Sequence, residues 1–170
     1  LTYGLTVEPT VSFWDAGEYI ATSAKLQVGH PPGAPLFQII GAFAALFAFG
    51  DPERIALTVN FVSVLSSAIT ILLTYQIIHR LIRRIIGHSE TPAEELKLVT
   101  ASVIGALALC FSDSFWFNAV ETEVYAMASL MMALLLYLGI RWTDELKDEK
   151  ANRWVLLISF VVGLVFGIQF

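Results

Sequence analysis

LTVNFVSVLSSAITILLTYQIIHRLIRR, residues 57–84, decides the fold. Its first part, Leu57–Ile78, carries no charged side chain. An apolar helix of about 20 residues crosses the hydrocarbon core of a bilayer. The tail then carries Arg80, Arg83 and Arg84, and loops rich in Lys and Arg stay on the cytoplasmic side of a membrane. The composition agrees with a membrane chain. It is 56% hydrophobic and 15% charged, with a mean hydropathy of +0.71. Soluble domains are about 45–50% apolar and about 25% charged. A net charge of −5 argues against a nucleic-acid partner, which needs basic patches. The lone Cys110 forms no intrachain disulfide. There is no internal repeat, low-complexity linker or secretory signal pattern.

Working outward, further apolar segments are Ala34–Phe49, Leu98–Phe111, Val124–Ile140 and Val155–Phe170. They predict an all-α, polytopic helix bundle. Residues 1–7 read as the end of a first span, and 12–50 as an outer loop with two amphipathic, juxtamembrane helices. The second span covers 57–86, the third 96–116 with Phe115 and Trp116 as interfacial aromatics, and the fourth 124–141. Residues 155–170 begin a fifth. The first residue is Leu1, not Met, and Phe170 lies inside an apolar run, so the chain is expected to be part of a longer protein. Eight of the ten Lys and Arg fall in 79–97 and 141–153. Two spans separate these loops, so they share the cytoplasmic side, and the third and fourth spans meet outside. Ala34–Phe49 is short for a span and follows the break His30-Pro31-Pro32-Gly33. It is expected to lie in the outer interface, which leaves residues 12–35 outside as well.

That stretch, SFWDAGEYIATSAKLQVGHPPGAP, holds ionisable groups in a greasy chain. As a helix over 12–28 it places Asp15, Glu18, Thr22 and Lys25 on one face. Ser12 stands where an N-cap belongs, with Asp15 three residues on. Asp15 as a plain helix-end acid is the competing reading. The prolines make the corner at His30 rigid, either holding His30 near the polar face or merely turning the chain. The other outer stretch is SDSFWFNAVETEVYA, residues 112–126. There Asn118, Glu121, Glu123 and Tyr125 stand where a span begins. Helical spacing pairs Glu121 with Tyr125 and points Glu123 elsewhere. Partial desolvation would raise these carboxyl pKa values, which suits a base or a metal ligand. The outer side carries Glu8, Asp15, Glu18, Asp51, Glu53, Asp113, Glu121 and Glu123 against Lys25 and Arg54. Such an acidic mouth could attract a divalent cation, with Asp15 and Glu121 as ligands. No zinc spacing or Gly-rich phosphate loop is present. Asn60 and Gln76 are expected to pair with neighbouring helices.

The strings TVEPTVSFWDAGEYIATSAKLQVGHPPGAPLFQIIGAFAALF, FGDPERIALTVNFVSVLSSA and FWFNAVETEVYAM resemble a bacterial family related to an animal protein O-mannosyltransferase. That family belongs to the GT-C superfamily of membrane glycosyltransferases. The resemblance implies a GT-C type bundle whose first outer loop carries the catalytic acid. It implies Asp15 as base, Glu18 as its support and His30 near a donor phosphate. Asn118, Glu121, Glu123 and Tyr125 would help build the site from the second outer loop. The donor would be a polyprenyl-phosphate-linked sugar, mannose above all. The acceptor would be Ser or Thr of exported proteins, at the outer face of a bacterial inner membrane. Lys25 and Arg54 join His30 as the visible donors to a departing phosphate. Other readings are a secondary transporter coupling ions through Asp15, Glu18 and Glu121, and a non-catalytic membrane scaffold subunit.

Overall fold

The long helices start where the sequence supplies strong caps. Asp51 accepts the Glu53 backbone N–H at 3.0 Å, and Pro52 takes the first helical position of α4, Pro52–Ile86. Thr91 and Glu94 form a capping box around Pro92 at the head of α5, Pro92–Cys110. The computed structural model describes residues 1–87, 91–148 and 151–168. Lys150 and the last two positions of the expected fifth span lie outside the described residues. Among those described, α1 spans Thr2–Leu5, α2 Ala16–Lys25, α3 Pro35–Ala45, α6 Asp113–Val120, α7 Val124–Asp144 and α8 Asn152–Val165. A 3-10 turn, Leu46–Ala48, extends α3, and no strand occurs among them.

Helix α4, with 35 residues, is about 50 Å long and outruns a hydrocarbon core of about 30 Å. Helix α7, with 21 residues, matches that core. Both have the length and hydropathy of membrane spans. The expected third span is divided: α5 ends at Cys110, and α6 leaves it at 67°. The sequence sets the break. Ser112 adopts extended backbone as the N-cap of α6, while its hydroxyl donates to the Leu109 carbonyl at 2.8 Å. Ser112 and the residues after it therefore open a second helix, and the expected span is bent at this point.

Helix α4 packs on α7, α5 and α3. Two layers of polar contacts fix the relative directions. At one end Arg80 and Arg84 meet Asp144 at 3.2 and 2.7 Å, and Arg83 meets Glu95 at 2.6 Å. At the other, the Ser63 hydroxyl stands 3.5 Å from the backbone of Glu123. Hence α4 and α7 run parallel and α5 antiparallel, the alternation expected from the charged loops. The bundle has an arginine end and an acidic end.

Helix α3 and its 3-10 turn cover about 20 Å, short of a crossing. They expose Ile39, Phe43, Leu46 and Phe47 and bury Phe37 and Gly41, the pattern of a helix lying on a membrane surface. Helix α2 packs on α3 at close range. A Cβ on Gly41 would stand 2.5 Å from Ser23 Oγ, so only glycine permits this approach.

Candidate active site

At the acidic end, the first loop is shaped by one residue. Trp14 has φ 59, a left-handed conformation that terminates any helix begun at Ser12. The expected helix over 12–28 is therefore shorter, Ala16–Lys25, and Ser12 does not cap it. Asp15 occupies the N-cap position, and its carboxylate makes no capping bond. Asp15 thus stands at the helix end, as the competing reading has it, but without a side-chain capping bond and with its side chain at the surface. The helix closes at Leu26, also left-handed, with Gln27 N–H on the Thr22 carbonyl at 2.8 Å.

That closure folds residues 27–33 back along α2. Gly33 N–H meets the His30 carbonyl at 2.9 Å. Glu18 then holds His30 twice: Oε1 accepts its backbone N–H at 2.6 Å, and Oε2 meets ring Nδ1 at 2.9 Å. These bonds draw the Glu18 carboxyl below its usual range and raise the His30 imidazole above its own. Gly29 lets the loop close, since a Cβ there would sit 3.1 Å from both Glu18 Oε1 and Gln38 Nε2. With Nδ1 committed to Glu18, Nε2 is the ring nitrogen left for a ligand. Tyr19 flanks the pair, its ring 6.3 Å from that of His30. Its phenol pKa is raised by burial and by Glu123, Asp15, Tyr125 and Glu18.

The second loop reaches the same place by an extended route. Glu121 and Glu123 have φ/ψ of −132/165 and −142/145. Side chains then alternate with period two instead of following helical spacing. The expectation that Glu121 pairs with Tyr125 while Glu123 points away is reversed. Glu123 and Tyr125 line one cleft with Trp14, Asp15, Phe117 and Asn118, about 480 Å³ in volume. Thr122 goes the other way, is fully buried, and bonds Asn60 Oδ1. Asn60 Nδ2 donates to the carbonyls of Glu8 and Thr10 at 2.6 and 3.0 Å. Asn60 of α4 thus ties both loops to the bundle, where a helix–helix contact was expected.

Burial raises the Glu123 carboxyl to about 7, with Glu121 and Asp15 adding to the rise and the Val124 N–H opposing it. Glu121 is buried, its Oε1 has no partner, and it does not line the cleft. Of the expected cationic set, only His30 joins the acidic cluster. Lys25 is exposed at the far end of α2, and Arg54 pairs with Asp51 at 3.1 Å on the surface. The cleft offers two carboxylates and an amide, and no group of three or more His, Cys, Asp or Glu among the described residues could hold a metal ion. Of the two carboxylates expected as cation ligands, Asp15 lines the cleft and Glu121 does not. Trp14, Phe117 and Asn60 carry no chemistry-bearing spacing, so the sequence did not single them out as parts of the site.

Parallel membrane-length helices, a packed pair of shorter helices and a carboxylate cleft at one end define a helical membrane protein with a single-ended acidic site. The chain belongs to the family described as protein O-mannosyl-transferase TMEM260 N-terminal domain, whose model matches residues 15–170. It is 26% identical to protein O-mannosyl-transferase tmem260 of Dictyostelium discoideum over 89% of this chain and 17% of that protein. It is also 26% identical to protein O-mannosyl-transferase TMEM260 of Mus musculus, over 95% of this chain and 21% of that protein. The chain therefore spans about a fifth of the length of these relatives. No solved structure gives a significant match.

Proposed function

We propose that this chain carries the proton-accepting part of a GT-C type membrane glycosyltransferase. It would move a sugar, mannose by the names of its relatives, from a polyprenyl-phosphate donor to Ser or Thr hydroxyls of exported proteins. The observation that carries the reading is the cleft shared by Asp15 of the first loop and Glu123 of the second. Asp15, uncapped and exposed, is the base that takes the acceptor hydroxyl proton as oxygen attacks the sugar's anomeric carbon. The bond from that carbon to the donor phosphate oxygen breaks, and the phosphate leaves on its lipid. His30, whose imidazole pKa Glu18 raises, donates from Nε2 to the departing phosphate. Glu18 therefore acts through His30 and does not support Asp15 directly. Asn118, Glu121 and Tyr125 complete the second-loop wall or its backing.

The acidic end would face outward, opposite the arginine end, in keeping with the Lys and Arg distribution. A bacterial inner membrane rests on the sequence resemblance alone. A transporter would hold its carboxylates near mid-membrane; here they gather at one end of α4 and α7. The test uses the full-length protein in membranes with matched expression. Asp15→Asn should abolish sugar transfer to an acceptor peptide, and full activity would refute the base assignment. A cysteine at Thr10 should react with an impermeant reagent added to intact cells, and protection would refute the outward site.

A further inference from the structure

The lining of the cleft says more than its acids do. Trp14, Phe117 and Tyr125 supply aromatic walls, and Asp15, Asn118 and Glu123 supply polar groups. Trp14 is 82% exposed despite its left-handed backbone, which is costly for a bulky residue. The indole lines the cleft with its face open. None of the lining residues is cationic, so an anion in the cleft would face two carboxylates unopposed. A neutral ring with CH faces and hydroxyl edges satisfies both walls: aromatic rings cover the CH face, and carboxylate and amide oxygens accept from the hydroxyls. The Asn118 amide N–H is already engaged on the Ser114 carbonyl at 2.8 Å, which leaves its Oδ1 as an acceptor. The volume, about 480 Å³, lies within the range of small-ligand sites.

We propose that the cleft is a pyranose subsite in which Trp14 stacks on the sugar ring while Asp15, Asn118 and Glu123 bond its hydroxyls. This deepens the transferase reading and rests on it for the sugar's fate. The phosphate of a donor would then lie outside the cleft, toward His30.

The test uses the full-length protein in nanodiscs, with methyl α-D-mannopyranoside as probe in saturation-transfer NMR and with donor and acceptor KM measured separately. Trp14→Ala should lose the sugar signal and raise donor KM about three- to tenfold, with little change in kcat. Trp14→Phe should recover most of both. An unchanged signal and donor KM in Trp14→Ala would overturn the subsite, as would a rise confined to the acceptor peptide's KM. A wild-type sugar signal lost in Trp14→Ala, in a protein that transfers no sugar, would keep the subsite and sink the transferase reading. If Trp14→Ala does not fold, Tyr125→Leu replaces it: a weakened signal supports the subsite and an unchanged one overturns it.

Discussion

Replacing Glu123 by Gln isolates the cost of ionising a carboxyl inside the acidic end. Gln keeps the shape and still accepts from the Val124 N–H, but it stays neutral at every pH. In the folded chain the Glu123 carboxyl sits at about 7, against an ordinary value of 4.5. The unfolded chain releases the proton near 4.5 and the folded chain near 7, so between them the native state holds more protons. Stability therefore falls as pH rises through that window and stays lower above it. A difference of 2.5 units (7 − 4.5) corresponds to a ceiling of about 3.4 kcal/mol at 1.36 kcal/mol per unit. The cleft beside Glu123 opens to water, and screening reduces this to about 1–3 kcal/mol. Relative to wild type, Glu123→Gln should be near neutral at pH 4.5 and stabilised at pH 8. At about 2–4 °C per kcal/mol, the gain in Tm at pH 8 is roughly 2–12 °C. Thermal unfolding of both proteins in nanodiscs at the two pH values measures it. An equal Tm difference at both pH values would refute the burial argument, because only an ionising group makes the difference pH-dependent.

Two other outcomes follow from the loops. Asn60→Ala strands the Glu8 and Thr10 carbonyls and the Thr122 hydroxyl, so it should cost about 1–3 kcal/mol. Hydrogen exchange should rise together in residues 8–12 and 120–123, and a rise confined to α4 would contradict the clamp. Glu18→Gln removes the partner that raises His30, so the His30 ring should titrate closer to its ordinary value. NMR of the ring protons reads this, and an unmoved midpoint would show that Glu18 does not set the charge of His30.

The helices were legible because their signals are local and repeated. Leu57–Ile78 is uncharged over its whole length, and the arginines beyond it predict the alternation that the Arg84–Asp144 and Arg83–Glu95 pairs display. The cleft was legible only in part. Asp15 could be singled out, but its geometry depends on Trp14 turning left-handed, and periodicity cannot report a reversal made by one non-glycine residue. Helical spacing failed at Glu121 and Glu123 because Asn60, more than 60 residues earlier in the chain, pins Thr122 and holds the segment extended. The break at Phe111–Ser112 failed for a related reason: FSDSFWF is apolar enough to continue a span, and the Ser112 cap that ends it resembles any interfacial serine.

The same geometry bears on how an acidic mouth could serve a phosphate donor. Asp15 and Glu123 both ionised would repel the phosphate and each other. With its pKa near 7, Glu123 spends much of its time neutral at physiological pH, and then it donates a hydrogen bond where it would otherwise repel. Asp15 stays in the cleft lining, where the proposed reaction needs a base. His30, whose imidazole pKa is raised, is held outside that lining by Glu18. On the proposed reading the burial of Glu123 is therefore functional: it lowers the negative charge of the mouth while Asp15 remains to accept the proton. Raising the pH above 7 would restore the second charge and weaken donor binding, so donor KM should rise with pH, and Glu123→Gln should remove the part of that rise that Glu123 causes.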